Sequence, residues 1–454
     1  MVKKNLLFLL LAFITSCTND VNYDFTNVFS VATSKVDSNK RSYSEALEIA
    51  QNAISILDDN NQLTRSSSNR RVDLNEKPIT ICADNRFSTR SSENIGNDTL
   101  MYVFNYTDNN GFAVVSADKG TEGLIAVIES GHYDPSDTTD TGFRSYMIAA
   151  KYYILANQVK TKIVPDRAPK GFYFEFDTIS TTSISPRITV KWGQNGHEGQ
   201  FFDNHISGCV NTAAAMIMSY FEYPTTISLT YENAPFSYRS LNWDGMKSYI
   251  ASYIKINGWG YYHHHDTCTN EDHKSIGYLC RQLAKDTHST LYDGSTSTNF
   301  YSMRNVMADY GYIVGDCLSY QNLANTNTLH ALLSNGRIIL MRGSNINDIG
   351  HAWVVDGYYG FTIHSLYYEY GFTNGMPDPP ILMDEQFITH RYNHINWGYD
   401  GYNNGYFNDG VFSVYGDSYW YDDDNYVFLL PTHDEEQEKT FQNHLLFFSV
   451  YHNN

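Results

Sequence analysis

The stretch from Ala168 to Pro186 constrains this chain more than any other, because it divides it. It reads as poor in core-forming residues and ends in Thr178-Ile179-Ser180-Thr181-Thr182-Ser183-Ile184-Ser185-Pro186, the composition of a protease-accessible linker. A chain of 454 residues has room for two or three domains, so a body is expected on each side. Before the break, apolar residues at Ala46, Ile49, Ala50, Ala53, Ile54 and Leu57 form a helical stripe. Strand-like runs follow at 78–82, 101–106, 112–116 and 124–128, with a hairpin signal at Asn109-Asn110-Gly111, and 143–158 turns helical again. Residues 24–165 therefore predict a small α+β body with its own core. Beyond the break, helical signals come early and strand signals late. Charge shifts as well: residues 17–186 carry 22 acids and 16 bases, whereas residues 187–454 carry 28 and 13. Hydrophobic residues at 42% and charged residues at only 18% exclude a disordered chain, and the net charge of −19 argues against a nucleic-acid partner.

The start of the chain reads as an address. Lys3 and Lys4 precede an apolar run from Leu6 to Ile14, too short to span a bilayer well, and Ile14-Thr15-Ser16-Cys17 resembles the bacterial lipobox. The expectation is a signal peptide over 1–16, a lipid on Cys17 that anchors the protein to a membrane, and a tether over 17–40. Such a protein sits in the cell envelope, facing periplasm or surface, or is released after processing. With Cys17 lipidated, Cys82, Cys209, Cys268, Cys280 and Cys317 remain, an odd number, so at least one thiol is expected to be unpaired.

One of these cysteines stands in a chemical setting. Gly208-Cys209 opens a run to Phe221 without glycine or proline, with Val210, Ala213, Ala214, Ile217 and Phe221 on one helical face and Tyr223-Pro224 closing it. Cys209 is thus expected at a helix N-terminus, where unpaired amides and the macrodipole favour thiolate. His351 enters a strand-like run, Gly350 to Tyr358, where Gly350 is expected to leave the imidazole uncrowded. Asn396 is central in a second, His394 to Gly398. A thiol, an imidazole to carry its proton and an amide to hold the imidazole are the parts of a cysteine nucleophile site. Gln194, in Trp192-Gly193-Gln194, supplies a side-chain donor that with the Cys209 N–H would form an oxyanion hole.

The order Gln, Cys, His, Asn-Trp resembles that of the papain-like cysteine peptidases, and the motifs are similar to those of the streptopain family. The matching blocks are Trp192-Gly193-Gln194, Gly208-Cys209-Val210-Asn211-Thr212-Ala213, Gly350 to Tyr358, and Asn396-Trp397-Gly398 followed by Gly405-Tyr406-Phe407. Gly336 to Leu340 also fits the family pattern, and Gly111 to Asp118 looks like its inhibitory propeptide. The resemblance implies an α+β, papain-like cysteine peptidase fold (a helical part and an antiparallel sheet part) over 187–454, behind a small α+β propeptide domain and linker over 41–186. It implies a zymogen that hydrolyses peptide bonds through a thioester. Cys209, His351, Asn396 and Gln194 would be catalytic, with Trp397 shielding the Asn396–His351 hydrogen bond and Gly350 and Gly208 in support. No metal or other cofactor is implied. The partners would be a protein or peptide substrate and the chain's own propeptide, cut away near Thr178–Arg187. The family usually has Ala at Asn211 and often Gln at Ala215, and the loop 195–199 lacks the usual Pro; these departures bear on specificity.

Other signals lead elsewhere. His263-His264-His265 lacks a second ligand pair at zinc spacing, and Asp422-Asp423-Asp424 and Asp434-Glu435-Glu436 lack a calcium register; all read as solvated. Cys82 and Cys317 read as core, and Cys268 and Cys280 as a disulfide or two buried thiols. Competing readings are a cell-wall peptide hydrolase with the same dyad and a non-catalytic surface-binding lipoprotein.

Overall fold

The computed structural model describes residues 40–60, 70–82, 99–137, 140–162, 172–194, 206–256, 259–266, 270–292, 294–320, 323–344, 350–370, 372–373, 376–377, 379–413, 419–421, 427–429 and 443–453. The signal segment, the tether before residue 40, Cys17, the loop 195–199, Cys268 and both acidic runs lie outside them; His263 to His265 belong to the backbone strand Trp259–Asp266. No helix among the described residues is long and apolar enough to cross a membrane.

The front of the chain forms α1 (Tyr43–Asn52), α2 (Ile54–Asn60), β1 (Ile79–Cys82), β2 (Thr99–Asn105), β3 (Phe112–Ser116), β4 (Leu124–Ile128) and α3 (Thr141–Lys162). α1 starts on a reciprocal cap: Ser42 accepts the Glu45 N–H while the Glu45 carboxylate accepts the Ser42 N–H at 2.6 Å. β5 (Phe172–Ile184) follows. The back half contains α4 (Cys209–Phe221), α5 (Asn270–Asp286), α6 (Phe300–Asp309), α7 (Leu323–Ser334), β6 (Ile338–Ser344), β7 (Gly350–Glu369), β8 (Ile381–Asn396), β9 (Gly405–Asn408) and β10 (Asn443–Tyr451).

The sheet that these strands build is continuous, in the order β1-β2-β3-β4-β9-β8-β7-β6-β10, extended by Ile313–Val314, with Leu318–Ser319 on β10 and β5 on β7. Every pairing in it is antiparallel. The fold is therefore mixed helix and antiparallel sheet. β4 reads Leu-Ile-Ala-Val-Ile, with all five residues buried, so it is a central strand that needs a partner on both sides. β3 supplies one and β9 the other, through Gly405↔Ile128, Tyr406↔Val127 and Phe407↔Ala126.

The expected separate core of the front body is thus corrected. Ala46, Ile49 and Leu57 pack with Phe361, Tyr392 and Tyr406 on one face, and Phe143, Tyr146 and Ala150 of α3 pack with Ile395, Trp397 and Phe407 on the other. The reason is area: a four-stranded sheet with two apolar faces cannot cover both with three helices, and joining a second sheet does. Further along, β7 alternates, with Trp353 and Val355 facing α3 and Val354 facing α4, α5 and α6.

The stretch read as an open linker differs most. Residues 172–184 form one strand hydrogen-bonded along β7, from Phe172↔Glu369 to Ile184↔Tyr358. The aromatic and β-branched content of Phe172-Tyr173-Phe174 and Thr178 to Ile184 is high strand propensity that a search for core residues overlooks.

Candidate active site

α4 is buried on nearly every side, and Ala213, Ala214 and Ala215 let it lie close against the sheet. Its first residue is Cys209, as the periodicity predicts, and Gly208 caps it at φ +86, a conformation that favours glycine. Asn211 pins this turn, donating to the Ser207 carbonyl at 2.9 Å and to Thr298 Oγ1 at 3.0 Å. His351 is the second residue of β7, buried at 3% exposure and paired in register with Gly343 of β6. Gly350 lets the two strands approach: a Cβ there would stand 2.7 Å from the Gly343 carbonyl oxygen. Cys209 lies beside this strand, with the Ala352 N–H donating to its sulfur.

Gln194 is held between Ser207, two residues before Cys209, and the turn after β8. Its N–H donates to the Gly398 carbonyl at 3.0 Å, its carbonyl accepts the Ser207 N–H at 3.2 Å, and its Nε2 donates to the Tyr399 hydroxyl at 2.9 Å. Asn396 does not engage the imidazole: it donates to the Val190 carbonyl at 3.0 Å and accepts the Gly398 N–H at 3.1 Å. His351 Nε2 instead donates to the Trp397 carbonyl at 2.8 Å. Because that oxygen only accepts, Nε2 carries the proton of a neutral ring. Trp397 is fully buried, its ring centroid 6.3 Å from the imidazole.

Sequence reasoning missed what covers this site. The turn Asp140-Thr141-Gly142, at the start of α3, sits on it. A Cβ on Gly142 would fall 2.5 Å from Trp397 Cε3 and 2.7 Å from His351 Cδ2, so the backbone itself touches the imidazole. Thr141 Oγ1 is 2.9 Å from the Tyr399 hydroxyl. Asp140 accepts from the Phe143 N–H at 2.9 Å and from Asn403 Nδ2 at 3.1 Å. The available signal was Asp140 as an N-cap before the helical run from Phe143.

Burial reverses the expected ionisation. Burial raises the Cys209 thiol, outweighing the hydrogen bonds it receives, so the helix-terminus effect does not prevail. Burial likewise lowers His351 to about 4, against the opposing Trp397 carbonyl. Thiol and imidazole are both neutral, a latent pair. Cys82 is exposed at the end of an edge strand, unlike the core position expected, whereas Cys317 is half-buried against the core and Cys280 is buried. Among the described residues, no group of three or more His, Cys, Asp or Glu side chains is placed to hold a metal ion.

A second polar cluster joins the two halves. His394 on β8 meets Asp356 Oδ1 at 2.6 Å and Glu129 Oε1 at 3.0 Å, and Asp356 Oδ2 accepts the Arg187 and Ile188 N–H groups. Burial alone would lower His394, but Asp356 and Glu129 raise it to about 10; burial would raise Glu129, but His394, Lys191 and Arg70 hold it at about 2.

A cysteine at a helix start, a histidine-bearing strand beside it and a leader segment lying on that histidine define a cysteine peptidase held under its own cover. Residues 188–407 match the model described as the Peptidase C10 family, and residues 34–154 match that of the Spi protease inhibitor. The chain belongs to the C10, or streptopain, family, with its inhibitor domain in front. Among solved structures it is similar to a prointerpain A fragment from Prevotella intermedia, at 19% identity and a TM-score of 0.46 over 78% of this chain and 96% of that one. It is also similar to active interpain A cysteine protease of the same organism, at 15% identity and a TM-score of 0.33 over 59% and 94%. No curated protein matches.

Proposed function

We propose that the chain is an exported precursor, anchored through Cys17, whose processed form is an endopeptidase working through Cys209 and His351. The observation that carries this reading is the Asp140–Gly142 turn seated on His351, with Cys209 at the start of α4 beside it. When the turn leaves, water returns, the burial that neutralises both groups is relieved, and the helix terminus favours thiolate. The imidazole turns from the Trp397 carbonyl and takes the Cys209 proton. Sulfur attacks the peptide carbonyl, the oxyanion is held by the Cys209 N–H and Gln194 Nε2, and His351 returns the proton to the leaving amine. Water then opens the thioester. The test is hydrolysis of casein by the processed chain together with labelling by a thiol-directed epoxide. Absence of both sinks the reading.

Removal of the front domain is proposed to begin with a cut between α3 and β5. Cleavage within Thr178–Arg187 first requires a strand paired over its whole length to peel from β7. Intact mass of the products distinguishes the two, since a mature chain starting near Arg187 has lost β5.

Latency is expected to depend on pH. Burial raises Asp140 to about 7, so docking favours its protonated form: its contribution is fullest near pH 4 and is lost as pH rises to about 7. Glu129 is depressed, so its contribution is present above the ordinary carboxylate range and lost below it. His351, lowered to about 4, runs the other way, its contribution being present above the ordinary imidazole range and lost as pH falls toward 4, whereas His394, raised to about 10, loses its contribution as pH rises toward 10. Asp140→Asn should therefore slow activation at pH 8 and leave it nearly unchanged near pH 4. Equal activation rates of wild type and Asp140→Asn at pH 8 would refute this.

A further inference from the structure

We propose that Tyr399 is a positioning residue of the oxyanion hole: its hydroxyl fixes the Gln194 amide, and the front domain occupies that same hydroxyl through Thr141. The inference rests on the cysteine-peptidase reading above and extends it to a residue outside the four-residue motif.

A glutamine can donate to an oxyanion only if its amide plane is held with nitrogen, not oxygen, toward the substrate. Gln194 is fixed at its backbone by Gly398 and Ser207, but those bonds leave the side-chain torsions free. Among the described residues, the partner of Nε2 is the Tyr399 hydroxyl at 2.9 Å. An amide nitrogen carries two hydrogens, so donating one to Tyr399 holds Nε2 at this point and leaves the second for a substrate oxygen. Tyr399 is itself immobile: it is 3% exposed, its ring stacks on His351 at 5.2 Å and 28°, and its carbonyl accepts the Tyr402 N–H at 2.8 Å. It follows Gly398, which packs on Thr212 and Met216 of α4, so hydroxyl, amide and nucleophile share one rigid frame. Burial raises the Tyr399 phenol far above its ordinary value, so it stays protonated.

Thr141 Oγ1 also lies 2.9 Å from that hydroxyl. The covering turn thus contacts the imidazole through Gly142 and the oxyanion donor, via Tyr399, through Thr141. When it departs, the bond between Gln194 and Tyr399 remains.

The test compares processed wild type with Tyr399→Phe, Gln194→Ala and the double variant. Removal of an oxyanion donor costs about 10²–10³-fold in kcat, and loss of its orientation alone is expected to cost about tenfold. Tyr399→Phe should therefore lower kcat about tenfold, with KM within about twofold, and weaken a peptide-aldehyde inhibitor in parallel, since its adduct carries the oxyanion. The rate of Cys209 alkylation by iodoacetamide should stay within about twofold, a result that a disturbed fold would not give. In the Gln194→Ala background, Tyr399→Phe should add nothing further. The inference is overturned by unchanged kcat in Tyr399→Phe, by losses that multiply in the double variant, or by alkylation slowing in step with kcat. If the wild type is active and Tyr399→Phe equals it, only this inference fails. If the processed wild type hydrolyses nothing and resists alkylation, the peptidase mechanism fails with it.

Discussion

Cys209→Ala is expected to lower peptide hydrolysis by the processed protein by about 10⁴–10⁶-fold, the scale seen when the nucleophile is removed from a group that acts as a unit. The side chain starts α4, the Ala352 N–H points at its sulfur, and an alanine there leaves the helix intact. His351→Ala should cost about as much, and the two losses should not add, because base and nucleophile work on one proton. Turnover of a fluorogenic peptide, with epoxide labelling as the control for the thiol, measures both. Residual activity of Cys209→Ala within about tenfold of wild type would place the nucleophile elsewhere. The same substitution gives a precursor unable to process itself, the form needed to study the cover.

In that inert precursor, Glu129→Gln should loosen the front domain about 100-fold. The Glu129 side chain is 14% exposed and the His394 side chain 4%, so the pair lies in the interface. Removing one partner of a buried ion pair costs about 3–5 kcal/mol, or about 10²–10⁴-fold in affinity. His394 keeps Asp356 at 2.6 Å, which favours the lower end. The measurement is dissociation of the nicked Cys209→Ala chain on dilution at pH 6, followed by native mass spectrometry. Fragments that separate at the same concentration with either residue would show that the β4–β9 pairing holds the cover unaided.

Much of the front of the chain was legible because its elements carry local signals. Ser42 and Glu45 cap α1 where the stripe begins, and 112–116 and 124–128 appear as strands within a residue of expectation. The site was legible in its parts: Gly208-Cys209 starts a helix and His351 opens a strand. Asn396 was read for a bond to His351 that the closed form does not contain: the imidazole donates to the Trp397 carbonyl, and the turn at Gly142 sits on it. Nothing near His351 in the chain announces a contact more than two hundred residues away in sequence. The linker was misjudged for a related reason. Thr178 to Ser183 carry no apolar pattern, and their partner, β7, lies across the molecule.

By itself the sequence determined the order of elements, the helix that presents Cys209, the strand that carries His351 and the family to which the motifs point. These rest on periodicity, caps and turn residues, which act over a few positions and are written where they act. Tertiary structure alone decided that two bodies share one sheet, that β5 is a strand, that the thiol and imidazole are both neutral, and that Tyr399 and Glu129 belong to the working parts. Each of these depends on burial or on a partner far along the chain. Desolvation and strand pairing are properties of what surrounds a residue, and only folding brings those surroundings together.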